Sequence, residues 1–253
     1  MKALVVLPTY EERRNLERLV PEILAQDPDL HVLVVDDASP DGTGQIADAL
    51  AAANPRVHVL HRPAKLGQGS AYLEGFRWAL GETDAAYVLQ MDADFSHAPS
   101  AIPEFLAAAA ASDLVLGSRY RDGIRVLNWP LGRLALSLAA NRYAALVANV
   151  PIRDLTSGFK CFRRAALERF DFGAIRSEGY AFHIEMSVRA RQLGLGVREI
   201  PIVFTDRVEG RSKLSRRIVM EAAWVAWVLR FTRPPERSQQ ALAAPGAESR
   251  RSA

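Results

Sequence analysis

A series of short apolar runs in the first 118 residues constrains the fold more than any other feature of the chain. These runs lack the alternation of polar and apolar residues that marks a strand with one face in water. A strand that is buried on both faces reads as a continuous apolar segment, so the runs indicate an α/β fold, a mostly parallel sheet flanked by helices. The predicted strands are residues 3–7, 32–35, 57–60, 87–91 and 114–118.

Helical segments separate these strands and continue through the second half of the chain. Helices are predicted at 15–25, 43–53, 67–80, 99–110, 127–150, 181–193 and 218–231. A loop at 154–162 is expected to enter a strand, and 197–204 is a further predicted strand.

The last twenty or so residues differ in composition from the rest of the chain. From residue 234 onward Pro, Gln, Ser, Ala and Gly dominate, which predicts a disordered tail over 234–253. Residues 1–233 are predicted to form one domain, within which 215–233 is a helix that faces a membrane or a partner.

Two aspartates separated by one residue, called the acidic pair below, follow the fourth predicted strand. Asp92 and Asp94 share a face of an extended chain, because side chains alternate with period two. Both carboxylates can therefore reach one divalent cation, and hard cations such as Mg²⁺ take oxygen ligands and leave positions open for substrate phosphates. The alternative interpretation is a polar strand end followed by a turn.

Polar residues also follow the first two predicted strands. Thr9 and Tyr10 come after the first, and Asp36 and Asp37 end the second. Ligands of open parallel sheets bind beyond the carboxyl ends of the strands, so these residues and the acidic pair predict one nucleotide-type site. Asp37 is the candidate for ligand contact there, while a turn at 41–43 caps the next helix.

A glycine-rich segment, 65–71, opens the third predicted helix. It lacks the Gly-Lys-Ser/Thr ending of a Walker loop, and the chain has no Gly-x-Gly-x-x-Gly after its first strand. Both absences weigh against a phosphate-loop ATPase and a dinucleotide dehydrogenase. Gly67 and Gly69 are therefore predicted to allow close packing of the helix.

Charge and cysteine content limit the possible partners. The formal net charge of +3 is too small to indicate nucleic-acid binding, so no nucleic acid is expected. Basic residues concentrate in 207–217, either to neutralise phosphate or as a solvated run of charge.

Cys161 is the sole cysteine, which excludes an intrachain disulfide, fits a reducing compartment and predicts a core position. The chain enters its first strand at once, so no signal peptide is expected, and 218–231 is shorter than the ~20 residues of a membrane span.

The motifs, taken in order along the chain, resemble family 2 inverting glycosyltransferases of the GT-A (Rossmann-like) fold. Those of the first half are Pro8-Thr9-Tyr10-Glu11-Glu12, Val35-Asp36-Asp37-x-Ser39-x-Asp41-Gly42-Thr43, Asp92-Ala93-Asp94-Phe95-Ser96-His97 and Gly117-Ser118-Arg119-Tyr120. The later ones resemble the dolichol- or polyprenol-phosphate mannosyltransferases: Asp154-x-Thr156-Ser157-Gly158-Phe159, Glu178-Gly179-Tyr180-Ala181-Phe182, Pro201-Ile202-x-Phe204-x-Asp206-Arg207 and Gly210-x-Ser212-Lys213-Leu214. The similarity extends from about residue 1 to 233.

This resemblance implies a set of site residues. The guanosine part of GDP-mannose would contact Pro8, Tyr10, Glu12, Val35 and Asp37. The diphosphate and its Mg²⁺ or Mn²⁺ would lie on Asp92, Ala93 and Asp94, with Ser96, where some relatives have a glutamine, as a further metal ligand. The phosphates or the donor would be contacted by Arg119, Arg207 and Lys213, and the phosphate of the lipid acceptor by Arg119 and Arg133.

The predicted reaction is transfer of mannose from GDP-mannose to a polyprenyl (dolichyl) phosphate with inversion. A phosphate monoester has a second pKa of about 6 and is already an anion, so no general base is assigned. The alternatives are a UDP donor carrying glucose or another sugar, a hydroxyl acceptor that needs a general base, a nucleotidyltransferase, and a non-catalytic nucleotide-sugar or lipid-binding module.

A lipid acceptor also implies a membrane surface. Segments 127–150 and 218–231 combine apolar surface with basic residues and with Trp129, Trp224 and Trp227, as interfacial helices do. Ordinary packing is an equal alternative for 127–150, whereas 218–231 is predicted to dock on the membrane or on a separate membrane-anchoring subunit. The protein is accordingly expected to be cytoplasmic and peripheral, on the cytoplasmic face of a membrane.

Overall fold

A computed structural model of the chain describes residues 1–205 and 216–232, with side chains up to 205 and from 224 onward. Three parts of the prediction, Arg207, Lys213 and the tail 234–253, lie outside the described residues. The domain limits of 1–233 therefore stay a prediction.

The strands of the described chain form one large sheet and one small ribbon. In chain order they are β1 (Ala3–Thr9), β2 (Leu30–Asp36), β3 (Val57–His61), β4 (Tyr87–Gln90), β5 (Leu114–Ser118), β6 (Val126–Leu127), β7 (Lys160–Arg163), β8 (Val197–Pro201) and β9 (Phe204–Thr205). The seven-stranded sheet has the order β3-β2-β1-β4-β7-β5-β8, and the ribbon pairs β6 with β9. Every pair in the large sheet is parallel except the two made by β7. The predicted mostly parallel sheet is thus confirmed.

Helices cover both faces of this sheet. They are α1 (Arg13–Leu24), α2 (Thr43–Ala53), α3 (Gln68–Glu82), α4 (Ile102–Ala109), α5 (Leu131–Ala148), α6 (Arg164–Leu167), α7 (Gly179–Gln192) and α8 (Arg216–Phe231). Side chains of a strand alternate between faces, so Leu4 and Val6 of β1 pack under α3 and α7, whereas Val5 and Leu7 pack under α1 and α4. Both faces of β1 are buried, which is why its sequence reads as an unbroken apolar run.

Two predicted elements differ from the structure. The predicted strand 197–204 ends at Pro201, and the chain then leaves the large sheet so that Phe204 can pair with Val126 in the ribbon. The predicted helix 127–150 begins only at Leu131. Its late start follows from Pro130, because a residue that precedes proline is disfavoured in helical conformation.

The predicted loop that enters a strand at 154–162 is confirmed, and the strand is β7. Cys161 lies in β7 with no exposed surface, as the sequence predicted. Burial raises the pKa of its thiol, so this cysteine stays protonated and acts as a small core residue.

Gly75 offers a test of how tightly α3 lies on the sheet. A Cβ at Gly75 would overlap Cγ1 of Val6, whereas a Cβ at Gly81 of the same helix would meet nothing within 4 Å. We expect Gly75→Ala to lower the free energy of unfolding by about 1–3 kcal/mol through overpacking. Gly81→Ala should raise it by about 0.5–1 kcal/mol, because alanine favours a helix over glycine. Urea unfolding of both variants checks this, and two stabilised variants would contradict the close packing.

Candidate active site

A cavity of about 490 Å³ opens at the carboxyl ends of β1, β2 and β4, where the sequence predicted a site. Its wall brings together most predicted site residues of the described chain: Pro8, Tyr10, Glu12, Asp37, Asp92, Ala93, Asp94, Ser96, Arg119 and Arg133. Val35 is the exception, because its side chain is buried in the core under α3. A contact between Val35 and guanosine would have to use its backbone and stays a prediction.

Hydrogen bonds from α3 fix the first carboxylate of the acidic pair. Oδ1 of Asp92 accepts a bond of 2.7 Å from the Gln68 side-chain amide and one of 2.8 Å from the Tyr72 hydroxyl. Burial, together with the charge of Asp92, raises the pKa of Tyr72 well above its usual value, so the phenol stays protonated and remains a donor. If Asp92 binds a metal, its Oδ2 atom, which is not used by these two hydrogen bonds, would be the ligand.

The turn after Asp92 is held by His97. Nδ1 of His97 accepts a 3.1 Å hydrogen bond from the backbone N–H of Asp92, which places the ring proton on Nε2. The ring is buried and stacks on Phe159 at 4.9 Å between centroids. Burial lowers the pKa of His97, so the imidazole is neutral and serves as an acceptor within the turn.

The donor set of the acidic pair fits Mg²⁺ or Mn²⁺. Carboxylate oxygens are hard ligands, and Mg²⁺ is commonly bound by one or two carboxylates together with substrate phosphates and water. Within the described residues no group of three or more His, Cys, Asp or Glu side chains is arranged to hold a metal. Substrate phosphates and water are the usual remaining ligands of such a site. Ser96 is buried beside the pair and donates its backbone N–H to Asp94 Oδ1 at 3.1 Å, while metal ligation by Ser96 stays a prediction.

At the other end of the cavity, Asp37 holds the loop that precedes α3. Its carboxylate accepts hydrogen bonds of 2.5 Å from Arg62, 3.1 Å from the Leu66 N–H and 3.0 Å from the Gly67 N–H. In the same cavity wall, the ammonium of Lys65 lies 3.5 Å from the ring centroid of Tyr10, a cation–π contact. Asp37 thus shapes the cavity wall in addition to any ligand contact it makes.

Arg119 enters the cavity wall as half of a buried ion pair. Its Nε and Nη2 atoms donate to the two oxygens of Asp154 at 2.7 and 2.6 Å, and Nη2 also reaches Thr156 at 2.6 Å. Burial opposes the charge of Arg119, but Asp154 outweighs it and raises the pKa of the guanidinium. Nearby, the guanidinium of Arg133 lies 4.1 Å from the ring centroid of Trp129. Two cations with aromatic neighbours therefore mark this side of the cavity.

Several side chains at the site were missed by sequence reasoning. The partners of the predicted residues, Gln68, Tyr72 and Asp154, carry no signal of their own, although Gln68 lies in the glycine-rich segment and Asp154 in a motif of the resemblance. Lys160 is fully buried below the cavity, where its ammonium donates to the carbonyl of Ser157. Burial lowers the pKa of Lys160 to about 7. Lys160 begins the short strand β7, and the sequence of this strand does not indicate that the lysine side chain is buried.

Close packing at the glycine-rich segment is confirmed, and its partner is a carboxylate. Gly67 has φ +107°, and a Cβ there would lie 2.6 Å from Oε2 of Glu178. A Cβ at Gly69 would lie 2.9 Å from the same oxygen. The two glycines leave room for Glu178 at the start of α3.

Solved structures share the fold of this chain. Glucosyl-3-phosphoglycerate synthase from Mycobacterium tuberculosis, in complex with Mn²⁺, UDP and glucosyl-3-phosphoglycerate, matches it with a TM-score of 0.64 and 19% identity, over 90% of this chain and 79% of that one. A complex of the same enzyme with Mn²⁺, UDP-glucose and phosphoglyceric acid gives a TM-score of 0.65 at 19% identity over the same shares of the two chains. The fold is GT-A, as predicted.

The chain belongs to glycosyl transferase family 2, which it matches over residues 4–170. Polyprenol monophosphomannose synthase of Mycolicibacterium smegmatis is 48% identical over 223 residues, which cover 87% of this chain and 84% of that protein. Undecaprenyl-phosphate mannosyltransferase of Micrococcus luteus is 43% identical over 222 residues, 88% of this chain and 91% of that protein. The predicted family is confirmed, and so is the narrower resemblance to polyprenyl-phosphate mannosyltransferases.

Proposed function

We propose that the protein transfers mannose from GDP-mannose to a polyprenyl phosphate with inversion, forming polyprenyl phosphate β-mannose and GDP. The observation that carries this proposal is that one cavity is lined by both the acidic pair and two cations, Arg119 and Arg133. The relatives named above transfer mannose to polyprenyl phosphates according to their names, and they cover most of this chain.

The reaction follows from the charges at the site. An oxygen of the lipid phosphate attacks the anomeric carbon, the bond from that carbon to the diphosphate oxygen breaks, and the electron pair leaves with GDP. Asp92 and Asp94 would hold a divalent metal, which would supply positive charge to stabilise the leaving diphosphate. Arg119 and Arg133 attract the acceptor phosphate, which is already an anion and needs no proton removed. Arg207 and Lys213 belong to this proposal as further phosphate contacts.

The donor base is the finer part of the proposal. Pro8, Tyr10, Glu12 and Asp37 line the end of the cavity that would receive guanosine. A UDP donor is the competing possibility, since the structural neighbours are complexes with UDP or UDP-glucose.

The test is transfer of radiolabelled sugar to polyprenyl phosphate in detergent with Mg²⁺ or Mn²⁺. Labelled lipid from GDP-mannose, formed only when metal is present, is the expected result. Label from UDP-glucose but not from GDP-mannose would overturn the sugar and base. The purified protein is also assayed in vesicles that contain polyprenyl phosphate. If it binds nucleotide there but transfers sugar from no donor, the result would favour the binding-module alternative.

We also propose that the protein works as a peripheral protein on the cytoplasmic face of a membrane, where its acceptor resides. Helices α5 and α8 contact each other, and both expose large apolar side chains: Leu131, Leu136, Tyr143, Leu146, Trp224, Trp227, Val228 and Phe231. The Trp227 indole donates to the Tyr143 hydroxyl at 2.8 Å, which joins the two helices. Among the described residues no helix is long and apolar enough to cross a bilayer. Such a surface suits a membrane interface or a separate anchoring subunit.

Removing two of these side chains should weaken membrane association. Trp224 and Phe231 are 70% and 76% exposed. We expect Trp224→Ser with Phe231→Ser to lower partitioning onto vesicles at least about tenfold, because burying one such side chain is worth roughly 1.5–3 kcal/mol. Sedimentation with vesicles that contain anionic lipid measures this, and unchanged nucleotide binding is the control. Partitioning equal to that of the wild type would contradict the assignment of this surface.

A further inference from the structure

Glu178 caps a helix that is distant from it in sequence. Its Oε2 atom accepts the backbone N–H of Gly69 at 2.8 Å, and its Oε1 atom accepts that of Ser70 at 3.0 Å. Both donors belong to the first turn of α3, whose N–H groups have no partner within the helix. A carboxylate there also interacts favourably with the positive end of the helix dipole.

The same turn of α3 fixes the acidic pair. Gln68 at the start of α3 and Tyr72 one turn later both donate to Oδ1 of Asp92. The ring of Tyr72 stacks on that of Phe182 in α7 at 5.9 Å with 1° between the ring planes. Glu178, which directly precedes α7, and Phe182 thus hold the start of α3 from one side while Asp92 lies on the other.

We propose that Glu178 is a positioning residue for the metal-binding carboxylate of Asp92, acting through the first turn of α3. Its carboxylate accepts hydrogen bonds from the N–H groups of Gly69 and Ser70 and so fixes the conformation of this turn. The fixed turn orients Gln68 and Tyr72 toward Oδ1 of Asp92. Asp92 then presents Oδ2 in one fixed orientation. This inference rests on the proposed function, because it requires a metal–diphosphate site at Asp92 and Asp94.

A competing role for Glu178 predicts the opposite effect of its substitution on ligand binding. Helix N-termini bind phosphate, so the carboxylate of Glu178 could instead hold a place that the diphosphate takes over. Removal of its charge would then strengthen nucleoside diphosphate binding. We favour the positioning role because glycine at both 67 and 69 gives this carboxylate room to approach, and because the turn is bonded to Asp92.

The experiment measures Mn²⁺ affinity by electron paramagnetic resonance of free Mn²⁺, with GDP and separately with UDP. Glu178→Gln keeps the size of the side chain and removes its charge. We expect this variant to bind Mn²⁺ about tenfold more weakly than the wild type, the low end of the 10–100-fold range for residues that orient metal ligands. Gln68→Ala should weaken binding similarly. The double variant should be little worse than either single variant, because the two substitutions break the same linkage.

Glu104→Gln is the matched control. Glu104 lies in the first turn of α4 and is absent from the cavity wall, so its removal tests loss of a helix-terminal charge alone. Its Mn²⁺ affinity should equal that of the wild type. Unchanged Mn²⁺ affinity of Glu178→Gln, or tighter binding of the nucleoside diphosphate, would overturn the positioning role. If the wild type binds Mn²⁺ with UDP but not with GDP, the GDP donor is overturned, and Glu178→Gln can still be compared with the wild type. If the wild type binds Mn²⁺ with neither nucleotide, the metal–diphosphate site and the positioning role are both overturned.

Discussion

Replacing Asp94 with asparagine is expected to lower kcat for sugar transfer about 10³-fold, the largest effect we predict. The amide keeps the shape of the side chain but removes a charge that a divalent cation needs. Metal stabilisation of a leaving diphosphate is worth several kcal/mol, and each 1.36 kcal/mol corresponds to about a tenfold change in rate. Steady-state kinetics over a range of Mn²⁺ and Mg²⁺ concentrations measures the effect.

The control for this variant is Asp29→Asn, which changes an exposed aspartate in the turn before β2. Its rate should match that of the wild type. Asp94→Asn should keep its fold, since the side-chain change preserves size. If Asp94→Asn retained more than about a tenth of the wild-type kcat at saturating metal, the acidic pair would not be the metal site.

Replacing Asp154 with alanine is expected to give the largest loss of stability. The Asp154 side chain is fully buried and that of Arg119 is 5% exposed, so the substitution leaves a buried guanidinium without its carboxylate partner. Breaking a buried ion pair in this way costs about 3–5 kcal/mol of unfolding free energy. Urea unfolding followed by circular dichroism measures the loss.

A double variant separates stability from activity at this pair. Apolar side chains of similar volume often replace a buried ion pair without loss of stability, so Arg119→Met with Asp154→Leu should recover most of the unfolding free energy. Sugar transfer should remain strongly impaired, because the Arg119 cation would be missing from the cavity. Recovery of transfer in the double variant would contradict a phosphate-binding role for Arg119.

The sequence predicted the elements that depend on local pattern. The strands β1, β2, β4 and β5 are apolar runs buried on both faces, and each lies within two residues of its predicted limits. The direction of β7 was beyond such reasoning, because a four-residue strand can pair either way and its two neighbours lie far from it in the chain. The end of β8 at Pro201 likewise depends on a partner, Val126, that pattern alone does not identify.

In the candidate site, too, local sequence pattern predicted some features, whereas contacts between distant residues determine others. The common position of Asp92, Asp94 and Asp37 could be predicted because they follow strands whose carboxyl ends meet at one edge of the sheet. Their orientation is set by partners distant in sequence, such as the α3 side chains on Asp92 and the glycine-rich loop on Asp37. These contacts arise only when the helices have packed, so residue spacing cannot reveal them.

The antiparallel strand β7 has a consequence for how the chain reaches its native state during synthesis. It pairs with β4 on one side and β5 on the other, so the sheet stays split until residues 160–163 have left the ribosome. A nascent chain that stops before Lys160 would leave one edge of β4 and both edges of β5 unpaired, since β8 also follows β7, and such edges readily template aggregation. Pairing over such sequence distances is also slow. The centre of this sheet is therefore completed only when the second half of the chain has been synthesised.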